Sequence, residues 1–343
     1  MNIENVEIYG LGDFEPIPGF GDKGMVRVPA ATRNLLNERA RFIGMDSVGI
    51  EIRFVTDAPN IDVYISMQKP EFKEKGSYRI YKGNFLYQTI EVEPGITGFH
   101  RIVPPVTFDE ANDDLLNQSG YGSNVWRIVC DRAVTVFHGI NTHGHEIRKP
   151  KNEELPALHW LAYGSSITNS NLDGYPHFAA AKLRVQVQNK GFSGACHIEK
   201  VLVDYMLDQC RSDFITCELG VNMRNLYSPE TFEERASYLI KRLVESGKPS
   251  LIISCFPNRN SDLYTKEFDK ITSNEVAFNQ ILVRLVEEAN CPTLELMHGD
   301  EVLTDVHGLS GDLIHPTTYG HSIMGMNLAS RLEMFLNKCG LHQ

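Results

Sequence analysis

Leu158-His-Trp-Leu-Ala-Tyr-Gly-Ser-Ser-Ile-Thr168 is the stretch on which the fold turns. Its apolar first half has the length of a buried strand. After Gly164 come two hydroxyl residues and then Asn169, Ser170 and Asn171, where no regular core continues. A strand ending in Gly-Ser-Ser presents a hydroxyl at its carboxyl end, the edge at which open α/β sheets bind ligands. An ordinary Ser/Asn turn would look the same here, so the decision falls to the flanking sequence.

Downstream, strand-like and helix-like segments alternate. Helices are expected over residues 175–183, 198–209, 229–246, 274–289 and 317–338, the third beginning after Ser228 as N-cap. Strands are expected over 158–163, 185–188, 214–219, 250–256 and 293–297. Such alternation implies a parallel sheet covered by helices on both faces, a three-layer α/β domain.

Upstream the pattern has period two. Residues 50–55 and 61–67 alternate apolar and polar side chains around Asp57-Ala-Pro-Asn60, which predicts a hairpin with Ile61, Val63, Ile65 and Met67 on its buried face. Residues 78–81 and 85–92 flank Lys82-Gly-Asn84 as a second hairpin, and 124–130 and 133–140 flank Asp131-Arg132 as a third. Short strands without intervening helices predict an all-β sandwich. At 343 residues the chain suits two domains, expected at 1–152 and 153–343, with the charged, Pro-containing stretch 146–156 as linker.

Composition narrows the function classes. The net charge of −11 without a basic run argues against nucleic acid as a partner. No apolar stretch reaches the ~18 residues of a membrane span, and Met1-Asn-Ile-Glu-Asn5 lacks the regions of a signal peptide, so a cytoplasmic protein is expected. The seven scattered cysteines, none in a Cys-x-x-Cys pair, read as reduced core thiols. His138, His143 and His145 invite a metal, but no Asp, Glu or Cys lies among them and a polar exit loop is the better account; no metal and no cofactor are expected.

The chemistry-bearing residues follow the predicted strands of the second domain: Ser166 after the first, Gly194 after the second, Gly220-Val-Asn222 after the third, and Asp312-Leu-Ile-His315 before the last helix. Each alone is common in loops; all four at one sheet edge form a catalytic set. Ser166 needs a base, and His315, followed by Pro316, sits on a short rigid loop. Asp312 can curl back to the other ring nitrogen and fix the tautomer. The backbone N–H groups of Ser166 and Gly194 and the side-chain amide of Asn222 can supply an oxyanion hole.

These blocks resemble the SGNH or GDSL-type serine esterases and acyltransferases over about residues 156–340. The resemblance makes Ser166 the nucleophile, Asp312 and His315 the rest of a triad, and Ser166, Gly194 and Asn222 the oxyanion donors. One residue departs from the pattern: the acidic residue that usually precedes the nucleophile is Ser165 here. A β-sandwich ahead of such a domain is similar to the layout of two-domain carbohydrate esterases and of an antibiotic-pathway acyltransferase with a jelly-roll-like N-terminal domain. The resemblance therefore implies removal of a short acyl group, acetyl foremost, from a polar, sugar-like alcohol, with an oligosaccharide or small-molecule ester as substrate. Transfer of the acyl group to another alcohol, and a non-catalytic carbohydrate-binding protein, are the alternatives.

An α/β-hydrolase elbow is disfavoured because Thr168 occupies the last Gly place of Gly-x-Ser-x-Gly, and no nucleotide loop follows any strand. His177, His197, His307 and His321 are expected to pack or lie at the surface, and Arg224 to form a structural ion pair. The loops at 169–174, 223–225 and 258–262 are polar and read as suited to hydroxyls. Oligomeric state has no signature in the sequence.

Overall fold

The computed structural model describes residues 4–341; residues 1–3, part of the N-terminal stretch read above, and residues 342–343 lie outside the described residues. The chain forms two compact units, Met1–Ala30 with Gly44–Ala157, and Ala31–Ile43 with Leu158–Gln343. The stretch expected as a linker belongs to the first unit because its charges are used there. Val55 and Arg148 exchange backbone hydrogen bonds of 2.8 and 3.0 Å, and the Glu154 carboxylate takes Arg148 and Asn124 at 2.7 Å each.

In chain order the first part holds strands β1 (Glu7–Tyr9), β2 (Asp13–Ile17) and β3 (Gly21–Val26), then helices α1 (Ala30–Arg33) and α2 (Glu38–Ile43). Next come β4 (Glu51–Val55), β5 (Ile61–Met67), β6 (Gly76–Lys82), β7 (Phe85–Val92) and β8 (Gly98–Ile102). Helices α3 (Thr107–Glu110) and α4 (Asp113–Leu116) precede β9 (Val125–Cys130) and β10 (Thr135–Asn141). The strands form two antiparallel five-stranded sheets, β1-β4-β9-β6-β7 and β2-β3-β10-β5-β8, around a core that includes Phe54, Ile65, Tyr78, Trp126 and Phe137. The all-β sandwich is there, with short helices interrupting it.

Two of the three expected hairpins are not hairpins. β6 and β7 pair across Gly83-Asn84, but β4 and β5 lie in different sheets, as do β9 and β10. Alternation says which face of a strand is buried; two strands whose apolar faces share one core can lie in opposite sheets, and Asp57-Ala-Pro-Asn60 carries the chain across. The outer face of β4 and β9 is buried as well. Glu51 holds Arg53 at 2.8 Å and Arg127 at 2.7 Å, under the rings of Tyr9 and Tyr121. Burial alone would push the Glu51 carboxyl up; the two guanidiniums outweigh it and hold it at about 2.

The second part continues with β11 (His159–Gly164), α5 (Tyr175–Leu183), β12 (Gln186–Gly191), α6 (Lys200–Gln209), β13 (Phe214–Glu218) and α7 (Pro229–Ser246). β14 (Ser250–Ile253), α8 (Lys270–Ala289), β15 (Leu294–Met297), α9 (Gly299–Val302) and α10 (Thr318–Lys338) complete it. The sheet is parallel in the order β12-β11-β13-β14-β15. Trp160, Ala162, Leu251 and Ile253 pack with residues of α5 and α10. Leu161, Tyr163, Ile215 and Cys217 alternate with them, equally buried, and so face the opposite layer, as a doubly covered sheet requires.

The boundaries differ where polar residues are buried. β12 extends to Gly191 because Gln188, Asn189 and Lys190 stay in register with Leu161, Ala162 and Tyr163. α8 starts four residues before the expected position, capped by Asp269, whose carboxylate accepts from Thr272 N at 2.9 Å.

Candidate active site

β11 lies between β12 and β13, so the loops at the carboxyl ends of three adjacent strands converge on Ser166. The turn that displays it is built over a buried carboxylate. Glu218, the last residue of β13, accepts from Ser165 N at 2.6 Å and from Thr168 Oγ1 at 3.2 Å. Thr168 Oγ1 is also 2.7 Å from the Tyr175 hydroxyl. Only glycine fits at 164: a Cβ there would lie 2.1 Å from Thr168 Oγ1 and 2.7 Å from Glu218 Oε2. Burial pushes the Glu218 carboxyl above its ordinary range despite the hydrogen bonds from Ser165 and Thr168, and its Oε1 is buried without a partner. Thus a carboxyl group does sit behind the nucleophile, delivered by β13 and not by the residue preceding it, which is Ser165.

Ser166 Oγ is 2.8 Å from His315 Nε2, and His315 Nδ1 is 2.6 Å from Asp312 Oδ2. Asp312 Oδ1 gathers three donors, Ser310 Oγ at 2.9 Å, Ile314 N at 2.8 Å and His315 N at 2.9 Å. Burial opposes ionisation of Asp312, but the His315 ring and these donors prevail and hold its carboxyl well below the usual range. An ionised Asp312 accepts from Nδ1–H, which leaves Nε2 as the acceptor for the Ser166 hydroxyl. The curl between Asp312 and His315 requires Leu313 in the left-handed region, φ 58°, a conformation costing a side-chain-bearing residue roughly 1–2 kcal/mol. The loop is tied back by Ser310 N to His315 O at 2.8 Å, and Arg259 N donates to Leu313 O at 2.9 Å. Pro316 stands just before Thr317, which caps α10.

The second and third loops are joined to each other. Phe192 N donates to Gly164 O at 2.7 Å, Gly194 turns the chain with φ 70°, and Cys196 N donates to Asn222 Oδ1 at 3.1 Å. That bond engages the carbonyl end of the Asn222 amide and leaves its NH2 end as the available donor. Gly220, φ 113°, makes the bend after β13; a Cβ there would meet Cys255 Sγ at 2.7 Å. The chain therefore brings Ser166, His315 and Asp312 into one hydrogen-bonded relay and links the Gly194 loop to Asn222.

The residues held back from the chemistry have other partners. Arg224 is buried in an ion pair with Glu275 and donates to Asn258 Oδ1 at 3.0 Å. His321 is buried, its Nδ1 accepting from Tyr175 N at 3.3 Å; burial, aided by nearby His315, pushes its pKa down to about 4, so it is neutral at physiological pH. His197 lies 3.4 Å from the Tyr227 hydroxyl, and His307 pairs with Asp305 at 3.0 Å. His138, His143 and His145 turn to three different partners, Ser66, Asp62 and Asp57. Among the described residues no group of three or more His, Cys, Asp or Glu is arranged to hold a metal. All seven cysteines are unbridged. Within the polar loops Asn169 and Asn258 are buried and Asn225, Arg259 and Asp262 are exposed, and beside them Leu226, Leu263, Tyr264 and Phe268 are exposed as well. Arg224 and Asn258 serve the interior, in a network with Glu275.

Glu218 is the site residue that sequence reasoning missed. Its signal was a lone carboxylate in the apolar strand Phe214-Ile-Thr-Cys-Glu-Leu219, where a charged residue needs a reason.

Residues 162–323 match the GDSL-like Lipase/Acylhydrolase family. Nothing among curated protein sequences matches the chain. Among solved structures it is similar to a salicylyl-acyltransferase from a tetracycline biosynthetic pathway, at 15% identity and TM-score 0.80, covering 99% of this chain and 97% of that one. It is similar to a family two carbohydrate esterase from Clostridium thermocellum in complex with cellohexaose, at 12% identity and TM-score 0.61, covering 86% and 94%. It is also similar to an acetyl xylan esterase from the rumen bacterium Butyrivibrio proteoclasticus, at 13% identity and TM-score 0.56, covering 100% and 98%. These likenesses extend to the fold. No helix among the described residues is long and apolar enough to cross a membrane.

Proposed function

We propose that this chain, a carboxylic ester hydrolase carrying a GDSL-like lipase/acylhydrolase domain, removes short acyl groups, acetyl foremost, from a polar, carbohydrate-like alcohol through an acyl-enzyme on Ser166. The relay Asp312–His315–Ser166, with contacts of 2.6 and 2.8 Å, carries the reading. His315 takes the Ser166 proton as Oγ attacks the ester carbonyl, then gives it to the leaving alcohol. The Ser166 and Gly194 N–H groups and the Asn222 amide stabilise the oxyanion. Water, activated by the same His315, then releases the acid.

The turn beneath the nucleophile is closely packed: a Cβ at Gly191 would lie 2.2 Å from Asn169 N and one at Gly164 2.1 Å from Thr168 Oγ1. Side-chain exposures of 47% for His315 and 48% for Asp312 leave the base accessible to an incoming acyl acceptor, taken here as water by the likeness in layout to the carbohydrate esterases. The alcohol is inferred from the likeness in layout to the acetyl xylan esterase and the family two carbohydrate esterase. Hydrolysis of 4-nitrophenyl esters from two to twelve carbons, beside acetate release from acetylated xylo-oligosaccharides, tests it. The expected result is a maximum at two to four carbons with acetate released; a maximum at eight carbons or longer without acetate release overturns it.

A further inference from the structure

The segment 31–43 lies within the N-terminal part of the sequence yet belongs to the compact unit that carries Ser166. Its path is fixed at both ends of the excursion: Val28 N donates to Gly44 O at 3.1 Å where the chain leaves and returns. Inside the excursion, Asn37 caps α2, its Oδ1 accepting from Ala40 N at 2.9 Å. The same residue is gripped by the Glu199 carboxylate, at 3.0 Å to its backbone N and 2.7 Å to its Nδ2. Glu199 stands at the start of α6, where the loop bearing Gly194 ends. Two residues on, in the first turn of α2, Arg39 Nε donates to the carbonyl of Ser193 at 3.0 Å, and a Cβ on Gly194 would lie 3.6 Å from that same nitrogen.

The Ser193 carbonyl and the Gly194 N–H belong to one peptide group. That group is planar and trans, so its C=O and N–H point in opposite directions, and holding one end sets the direction of the other. A guanidinium on the carbonyl makes a charge-assisted bond and polarises the peptide, which strengthens the N–H as a donor. The loop's other anchors include Phe192 N on Gly164 O, the turn bond from Ala195 N to Phe192 O at 2.9 Å that spans the Ser193–Gly194 peptide, Cys196 N on Asn222, Ile198 N on the Tyr163 hydroxyl at 3.1 Å, and Arg235 on His197 O at 2.7 Å, whereas Arg39 engages the Ser193 carbonyl itself. We propose that Arg39 is a positioning residue of the oxyanion hole, aiming and polarising the Gly194 N–H through the Ser193 carbonyl. Residues 31–43 are then a functional part of the esterase unit, supplied from a distant point in the chain. The inference rests on the serine-esterase reading and adds to it a group that touches neither substrate nor triad.

An aimed donor counts most when negative charge has developed, so losing its aim lowers kcat and spares KM. The test is steady-state hydrolysis of 4-nitrophenyl acetate by Arg39→Met and Arg39→Lys, with melting temperatures, with and without added guanidinium chloride at tens of millimolar. Arg39→Met is expected to lose roughly 30-fold in kcat, below the 10²–10³ of deleting a donor outright, with KM within about threefold. Arg39→Lys, which still places a cation on the carbonyl, should recover most of that loss, and guanidinium should restore part of the rate of Arg39→Met but not that of Asn222→Ala. An Arg39→Met enzyme within twofold of wild type overturns the proposal. So does a loss that tracks a fall in melting temperature and answers to neither lysine nor guanidinium, which marks a packing role. Ser166→Ala is measured alongside: if it keeps the wild-type rate, the serine-esterase reading falls, whereas a dead Ser166→Ala beside an unimpaired Arg39→Met removes the Arg39 proposal alone.

Discussion

Replacing Asp312 by Asn separates the orientation of His315 from the folding of its loop. Asp312 Oδ1 holds three donors and Oδ2 holds one, the His315 Nδ1–H. An asparagine can keep its oxygen on the three donors or on the ring, but not both. Three neutral hydrogen bonds at about 1 kcal/mol each against one favour the first arrangement by about 2 kcal/mol, roughly thirtyfold. In that arrangement the amide NH2 donates to Nδ1, the ring proton moves to Nε2, and Nε2 no longer accepts from Ser166. The loop stays folded while the base is in the wrong tautomer. The expected outcome is a fall in kcat of at least about thirtyfold from the tautomer alone, and towards about 10⁴-fold, the size seen when the analogous carboxylate of a serine protease becomes an amide, because the imidazolium also loses its counter-charge. KM and melting temperature should barely change, whereas Asp312→Ala, which abandons all three loop donors, should also melt several degrees lower. The assay is 4-nitrophenyl acetate hydrolysis at neutral pH with thermal melts of both variants. An Asp312→Asn enzyme within tenfold of wild type would refute the tautomer argument.

Asn222→Ala is expected to lower kcat by about 10²–10³-fold with KM little changed, because its amide binds charge present only in the transition state; steady-state kinetics showing the loss in KM alone would make Asn222 a ground-state substrate contact. Glu218→Gln tests the buried carboxyl. Burial raises its folded pKa above the ordinary 4.5, so the folded state keeps a proton that the unfolded chain has released, and stability is lost as pH rises from about 4.5 through the folded value. Gln at 218 cannot ionise, so its melting temperature should gain on wild type between pH 4 and pH 8; a difference constant across that range would show that Glu218 does not titrate there.

Much of this site was legible because its parts are short and local. Gly164-Ser-Ser166 ends a strand, and Asp312 and His315 lie three residues apart before a helix, so spacing alone predicts their direction of approach. The parallel sheet was legible for a similar reason, since alternating strands and helices admit few arrangements. Pairing in the sandwich was not, because the period-two signal of β4, β5, β9 and β10 reports burial and says nothing of which sheet a strand joins. Arg39 had no signal at all: its role depends on a long-range return of the chain from residues 31–43 to the loop at 193–199. The buried polar residues of the loops after β11 and β14 misled for the opposite reason, since Asn169 and Asn258 look like solvent-facing residues and are enclosed.

Covalent trapping of the nucleophile tests the central claim most directly. Incubation of the intact enzyme with diethyl 4-nitrophenyl phosphate, followed by mass-spectrometric peptide mapping, is predicted to place a single diethylphosphoryl group on Ser166 in step with the loss of esterase activity. The Ser166→Ala protein should be inactive and unlabelled. A label on another residue in step with inactivation, or a Ser166→Ala protein that still hydrolyses 4-nitrophenyl acetate at the wild-type rate, would contradict the account.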